Sequence, residues 1–364
     1  MPASAAWLQI RGVGYPPCVT REPPARNPPL GLLRTRNSEC PKRMVFGPCG
    51  GVRHDLRCEV DDRRCPFIEE PAPRFPIATG PTEVESPGSS HPVATPLILC
   101  DFRPARPTID DARLLARRYA GWADTILLGD HHETVDLPSV LLASIAIEEG
   151  VRPWVTLSCR DRNAVALEAD LAALAELGVA GVHCVTGDAR APHVRKHSTA
   201  VFDLDSLRLT ALARSFGLTV SVAESPDAPP TAERPARVLD KYHAGASWCV
   251  LNVGSDRARL EWFIATARHL GAAMQFAACV PVFTDAEGAE RLQRLPGVSL
   301  DPVSVRAVLG STDPVSAGIS RAVQLATSLL SLPGVDGINL SGPASTKGEA
   351  ERASVMREIT SRLR

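Results

Sequence analysis

Four cysteines near the start of the chain have the types and spacing of metal ligands. They are Cys40, Cys49, Cys58 and Cys65, with the pattern C-x8-C-x8-C-x6-C. The adjacent glycines Gly50 and Gly51 allow a sharp turn that would bring the thiols together. Clustered thiols in a reducing compartment favour metal ligation over disulfides. The sequence predicts a Zn²⁺ site, a [4Fe-4S] cluster or no metal, because the C-x-x-C pairs of zinc ribbons are absent here.

A second group of polar residues lies where short apolar runs end, after residue 96. These runs alternate with longer Ala-, Leu- and Arg-rich stretches, a pattern typical of strand and helix repeats. Eight runs can be counted. They are Leu97 to Phe102, Thr125 to Gly129, Trp154 to Ser158, Gly181 to Val185, Leu218 to Ala223, Ser247 to Asn252, Met274 to Val280 and Gly337 to Ser341.

Eight strands that each precede a helix predict an α/β fold, the (β/α)8 TIM barrel. The stretch that ends at Gly178 is a clear helix, and two helices are expected between the last two strands. A doubly wound open sheet is the alternative, but no G-x-G-x-x-G follows a strand.

Proline content divides the chain into regions. Seventeen of the 32 prolines precede residue 97. We therefore expect a disordered arm over 1–33, an irregular Cys-rich module over 34–68, an extended linker over 69–96 and the barrel over 97–364.

Charge and hydropathy exclude several classes of partner. The 40 Lys and Arg residues balance 41 Asp and Glu residues, so no basic excess points to nucleic acid. No apolar run is long enough to span a membrane, and the first segment lacks the apolar core of a secretory signal. We expect a cytoplasmic protein.

In a TIM barrel the carboxyl ends of the strands surround one shared pocket. The candidates at these ends are Asp101, Asp130, His131, His132, Cys159 to Asn163, Thr186 to Asp188, Glu224, Asn252, Pro281 and Ser341. His131 and His132 could shuttle a proton or be simply exposed. Cys159, Cys100, Cys184, Cys249 and Cys279 are expected to be small buried side chains. This placement locates a site without naming a reaction.

Two motifs resemble those of methylenetetrahydrofolate reductases. The third strand ends in T-x-x-C-R-D-x-N and the fourth in T-G-D, and the segments VFDLDS, DKYHAGA and GVDGINLSG follow in the family's order. The resemblance covers roughly residues 95 to 362. The block CPKRMVFGPCGGVRHDLRCEVDDRRC is similar to the cysteine-rich module attached to, or encoded beside, such reductases.

The resemblance implies an oxidoreductase of one-carbon metabolism that reduces 5,10-methylenetetrahydrofolate to 5-methyltetrahydrofolate, or runs the reverse reaction. Folate would be the substrate, FAD the cofactor, and NAD(P)H or another reductant the electron source. Asp101 stands where the family has a glutamate that works as the proton donor or orienter at the folate, and its carboxyl stem is one methylene shorter. Asp188 matches an aspartate that faces flavin and folate.

The resemblance also implies a set of cofactor-binding residues. They are Thr156, Arg160, Asp161, Thr186, Gly187, Lys241 and Asn252. Lys241 matches a lysine near the flavin phosphates, or it is a solvated helix lysine. Arg160 and Arg162 could clamp carboxylates or phosphates, or brace the barrel mouth with Asp161. The alternative for Asp188 is a turn or capping residue.

Several flavin-facing positions depart from the family. Asn252 stands where the family often has a glutamine. The segment from Ala223 to Pro226 replaces an A-x-N-P or tyrosine-bearing segment, and the chain has only three tyrosines. Flavin binding is therefore left open. The alternatives are a folate-binding or electron-transfer accessory subunit that pairs with a second reductase subunit, and a folate-dependent enzyme with another acceptor.

Overall fold

A computed structural model describes residues 39–76 and 96–364, apart from positions 192, 195, 196, 255, 296 and 297. The arm expected over 1–33 and most of the linker expected over 69–96 lie outside the described residues. In the part of the chain that is described, no helix has the length and apolar character needed to cross a lipid bilayer.

Eight parallel strands close into a barrel in chain order, which confirms the TIM-barrel prediction. They are β1 (Leu97–Phe102), β2 (Thr125–Leu128), β3 (Pro153–Ser158), β4 (Gly181–Val185), β5 (Val220–Glu224), β6 (Trp248–Leu251), β7 (Gln275–Phe283) and β8 (Val335–Ala344). The first and last strands pair with Leu99 opposite Asn339, which closes the ring. The carboxyl ends of all eight strands therefore open on one face.

Ten helices in the described residues surround the barrel. They are α1 (Ile109–Tyr119), α2 (Ser139–Glu148), α3 (Ala164–Leu177), α4 (Ser206–Ser215), α5 (Arg234–His243), α6 (Arg257–His269), α7 (Ala286–Gln293), α8 (Pro302–Leu309), α9 (Pro314–Leu330) and α10 (Glu349–Arg362). Three helices, not the two expected, connect β7 to β8. The extra helix arises because two eight-residue helices, α7 and α8, stand where one helix was expected. Asp285 caps α7 and Asp301 caps α8.

Alternation along the strands separates an inner core from an outer one. Ile98, Cys100 and Phe102 belong to the large cluster that packs against the helices. Leu97 and Leu99 instead contact Trp154 and Trp248 in the barrel interior. The two indoles pack edge to face with ring centroids 6.4 Å apart. Since successive side chains on a strand alternate sides, Asp101 faces inward.

The cysteine-containing segment forms a small irregular module. Its regular structure in the described residues is one short 3-10 turn, Pro66–Ile68, and a single bridge between Arg57 and Arg64. A minor apolar cluster that includes Met44 and Phe67 stabilises it. A chain this short buries little apolar area alone. The module gains more by packing Val45 and Phe46 against Leu207 of α4 and Ala244, which follows α5.

Candidate functional site

The carboxyl group of Asp101 is held by three donors from the end of β8. Its Oδ1 accepts a hydrogen bond from Asn339 Nδ2 (3.0 Å), and its Oδ2 accepts from Ser341 Oγ (3.1 Å) and the backbone N–H of Gly342 (2.9 Å). Burial raises the pKa of Asp101, and the three hydrogen bonds only partly oppose this rise. The side chain is thus fixed in direction and holds its proton to higher pH than an exposed aspartate.

Asn339 is a functional candidate that the sequence did not reveal. Only 2% of the residue is exposed, and its amide nitrogen is used by Asp101, yet its Oδ1 has no hydrogen-bond partner among the described residues. A buried carbonyl oxygen without a donor is costly, so a ligand or water that supplies an N–H or O–H would be favoured there. Its position two residues before Ser341 on the inner face of β8 was the available signal.

A buried ion-pair network closes the mouth between β2 and β3. Asp130, after β2, accepts from Ser158 Oγ (2.9 Å), Arg160 and Arg162 (2.8 Å). Arg160 is only 1% exposed and also contacts Asp161 (3.0 Å). Of the two roles considered for Arg160, this geometry supports the brace over a ligand clamp.

The Thr186-Gly187-Asp188 turn after β4 presents one half-exposed carboxylate. Gly187 has φ +88°, and a Cβ there would lie 2.9 Å from Ser158 Cβ, so glycine is required on both counts. Thr186 Oγ1 accepts from the backbone N–H of Ser206 at 3.1 Å, which ties the turn to α4. The Asp188 side chain is 44% exposed, with Lys42 Nζ 3.9 Å from Oδ1.

Lys241 lies in a buried ionic cluster below the same side of the mouth. Its Nζ contacts Glu224 Oε2 at 2.7 Å, and Arg234 contacts Glu224 Oε1 at 3.1 Å. Although burial opposes ionisation, Lys241 and Arg234 lower the pKa of Glu224 to about 2. Lys241 is itself buried, so in this arrangement it does not fit the phosphate-binding role that the resemblance implies.

The remaining two cofactor candidates lie on β3 and directly after β6. Thr156 is buried on β3, paired in register with His183. Asn252, at the end of β6, donates from Nδ2 to Ser225 Oγ at 3.4 Å and accepts from the backbone N–H of Val253 at 2.9 Å. Their contact with a cofactor stays a prediction.

His183 lies in the barrel interior and was not among the predicted site residues. Its Nδ1 is 2.7 Å from Ser221 Oγ. Burial, with the nearby charge of Lys241, lowers its pKa to about 4. The side chain is therefore neutral at physiological pH and supplies hydrogen bonds without charge.

The four predicted metal ligands are not placed around a common point in the described residues. Cys40 and Cys49 pack against the apolar cluster that contains Cys65, and Cys49 donates its thiol to Glu59 Oε1 at 3.1 Å. Burial raises the pKa of Cys49 to about 12. No group of three or more His, Cys, Asp or Glu side chains in the described residues is placed to hold a metal ion. The donor set as arranged does not fit a four-thiolate site, and metal binding stays a prediction.

A small cleft lies between the loops after β1 and β2. Its volume is about 50 Å³, and it is lined partly by Phe102, Arg103, His131 and Val135. His131 Nδ1 lies 3.0 Å from Asp136 Oδ2, so this histidine is partly buried and paired, and is not simply exposed.

Of the buried cysteines expected in the strands, Cys100, Cys159, Cys184 and Cys249 are buried and Cys279 is partly so.

Asp101 and Asp188 lie on the same face of the barrel, at the ends of β1 and β4. The strand order places them across the mouth from each other, with the Asp130–Arg160 pair between them. No described contact joins the two carboxylates. They can therefore act on one ligand only if it spans the opening.

Comparison with known proteins supports the resemblance in the cysteine region. Residues 35–71 match a family model described as "Methylene-tetrahydrofolate reductase C terminal". A search of curated protein sequences gave no match to the chain.

Solved structures match the barrel. An uncharacterized protein from Clostridium thermocellum that binds two copies of 5-methyl-5,6,7,8-tetrahydrofolic acid has a TM-score of 0.52 and 12% identity, covering 72% of this chain and 94% of its own. Tryptophan synthase from M. tuberculosis has a TM-score of 0.44 and 11% identity, covering 73% of this chain and 92% of its own, a likeness too low to support inference. At these identities the likeness establishes the fold alone.

Proposed function

We propose that the barrel binds a reduced folate and interconverts its methylene and methyl forms. The match of the cysteine module to the methylenetetrahydrofolate reductase C-terminal family supports this proposal. The observation that carries this proposal is the buried Asp101 carboxyl, fixed by Asn339, Ser341 and Gly342 at the barrel mouth. The folate bound by the similar barrel from Clostridium thermocellum adds support to the choice of ligand.

The proposed reaction needs an acid before it needs a hydride. In 5,10-methylenetetrahydrofolate one carbon bridges two nitrogens, and protonation of the leaving nitrogen breaks one C–N bond and leaves an iminium cation at the other. A hydride then adds to the methylene carbon and gives 5-methyltetrahydrofolate. The pKa of Asp101, raised by burial, keeps a proton available for the first step at higher pH than an ordinary aspartate would.

Asp188 is suited to the second requirement, the stabilisation of positive charge on the pterin. Its side chain is 44% exposed at the mouth, so a ligand can reach it. A fixed negative charge near the iminium lowers the energy of that cation more than that of the neutral substrate.

A flavin or a nicotinamide would supply the hydride when bound. Lys241 and Arg160 are both held in buried ion pairs, and these two positions do not offer a free cation to flavin phosphates. The proposal therefore assigns to this chain the binding of folate, the donation of the proton and the stabilisation of charge.

Two measurements on the purified chain test the proposal. Calorimetric titration with 5-methyltetrahydrofolate should show saturable binding, and incubation of 5,10-methylenetetrahydrofolate with NADH, NADPH or a reduced flavin should yield the 5-methyl product. A chain that binds no reduced folate would contradict the proposal.

The second candidate function is a folate-binding accessory subunit without chemistry of its own. The internal ion pairs at Lys241 and Arg160 favour it, because they occupy residues expected to hold the redox cofactor. Folate binding without turnover, with turnover restored only by a second subunit, would support this alternative over the enzyme.

A further inference from the structure

Lys42 of the cysteine module lies beside the predicted ligand site of the barrel. The residue is only 2% exposed. Its Nζ donates to the backbone carbonyl of Gly187 at 2.7 Å and lies 3.9 Å from Asp188 Oδ1. Glu59, also in the module, forms an ion pair with the same Nζ. The ammonium group of Lys42 contacts a turn that lies 145 residues further along the chain. Burial of such a charge costs free energy unless the charge is fully paired.

Specific hydrogen bonds place the module so that Lys42 can reach this turn. The backbone N–H of Val45 donates to Asp205 Oδ2 at 3.2 Å, and Arg234 donates to the carbonyl of Cys49 at 2.9 Å. Arg237 donates to the carbonyl of Phe46. These contacts attach the segment that follows Lys42 to the start of α4 and to α5. The module is therefore seated on the side of the mouth formed by β4 and β5.

The turn that carries Asp188 is held from two sides. Ser158 lies so close to Gly187 that no side chain fits between them, and Arg160 donates to the carbonyl of Asp188 at 3.3 Å. Lys42 binds the opposite side of the turn through the Gly187 carbonyl. The carboxylate of Asp188 projects beyond both restraints, with 44% of its side chain exposed.

The charges around Lys42 are arranged unequally. Glu59 is 8% exposed and pairs directly with the ammonium group, whereas Asp188 lies at 3.9 Å and is half-exposed. Glu59 therefore neutralises most of the charge of Lys42. Asp188 is directed by the lysine while its own negative charge remains available to a ligand.

We propose that Lys42 is a positioning residue of the folate site, through which the cysteine module aims the Asp188 carboxylate into the barrel mouth. This inference rests on the proposed folate binding. It assigns to the module a part in ligand recognition that is independent of any metal.

A double-mutant cycle tests the inference on the full-length chain. The variants are Lys42→Met, Asp188→Asn and the combination, each titrated with 5-methyltetrahydrofolate by calorimetry. Lys42→Met releases the carboxylate that Asp188→Asn removes, so both changes act on one interaction with the ligand. We therefore expect each to weaken binding about tenfold and the combination also about tenfold. Independent roles would instead multiply to about a hundredfold.

Arg74→Met is the matched control. Arg74 also joins the N-terminal segment to the barrel, through Asp240 at 2.8 Å, but it does not contact the Asp188 turn. Binding should stay within about twofold of the wild type, because only a partly exposed ion pair is lost. A loss equal to that of Lys42→Met would show that docking in general matters, and would overturn the specific role of Lys42.

Lys42→Met leaves Glu59 buried without its cation, so Lys42→Met with Glu59→Gln provides a variant that removes both charges. Weakened binding by this folded variant supports the inference. Wild-type binding by either folded Lys42 variant overturns it, and so does failure of both to fold, which would show a structural role. Absence of folate binding in the wild type would instead refute the proposed function itself.

Discussion

The barrel buries two carboxyl groups at strand ends and gives them opposite properties. Asp101, on β1, is surrounded by neutral donors, and its pKa is raised. Glu224, on β5, contacts Arg234 and Lys241, and its pKa is lowered to about 2. Burial alone would raise both values, so the charge of the neighbours decides the sign. One carboxyl group is suited to donate a proton, and the other to anchor structure.

Glu224→Ala should produce the largest loss of stability. It leaves two buried cations without their anion, and we expect the free energy of unfolding to fall by about 3–5 kcal/mol. Urea denaturation followed by circular dichroism measures this. Glu149→Ala is the control, since Glu149 also pairs with two arginines, Arg113 and Arg117, but in a more exposed position. There the loss should be much smaller, because solvent screens these ion pairs. Equal losses would contradict the anchor role.

Asp101→Asn should affect turnover more than folding. Removal of a general acid costs on the order of a hundredfold or more in kcat, while the neutral amide keeps a similar shape in the same place. Steady-state formation of 5-methyltetrahydrofolate measures the effect. Asp336→Asn is the control, because Asp336 lies at the other end of β8 and accepts from the backbone N–H of Phe276 at 3.0 Å. Full activity of Asp101→Asn would refute its role as the acid.

The contrast also predicts a pH dependence of stability. The pKa of Glu224 is lowered from 4.5 to about 2 in the folded chain, so its stabilising effect is complete above pH 4.5 and is lost as the pH falls towards 2. The melting temperature of the wild type should therefore decrease over this range more steeply than that of Glu224→Gln. Parallel curves for the two proteins would show that Glu224 does not carry the acid sensitivity.

Ser341→Ala should give the smallest effect and should sharpen the assignment of Asp101. The change removes one hydrogen bond that favours the carboxylate, a contribution of about 1 kcal/mol, so the pKa of Asp101 should rise further. The pH profile of kcat/KM should move in the same direction. Ser345→Ala is the control, since Ser345 Oγ donates to Glu351 at 3.2 Å, away from Asp101. An unchanged pH profile would show that Asp101 is not the group whose titration controls kcat/KM.

Much of the barrel could be predicted from the sequence because parallel strands buried on both faces are continuous apolar runs. The first and fourth strands have the predicted limits, Leu97–Phe102 and Gly181–Val185. The helices α7 and α8 were harder to separate, because eight residues are too few to show a clear apolar period. Their aspartate caps were the remaining signal.

The site was predicted less completely because its decisive contacts join distant parts of the chain. Asp101 could be found from its place at the end of β1, but its partner Asn339 lies 238 residues away. Lys42 and Gly187 are similarly separated, and no local pattern indicates that they meet. The pairing of Lys241 with Glu224 was not predicted. The two residues are 17 positions apart, and their ion pair forms only because the strand and the helix pack together.

The docking contacts of the cysteine module also constrain the order of synthesis. The module leaves the ribosome early, but Asp205 follows Val45 by 160 residues and Arg237 follows Phe46 by 191. At a translation rate of about 5–20 residues per second, the module waits on the order of 10 to 40 seconds for these partners. During that interval the module lacks the barrel surfaces that it packs against in the folded chain.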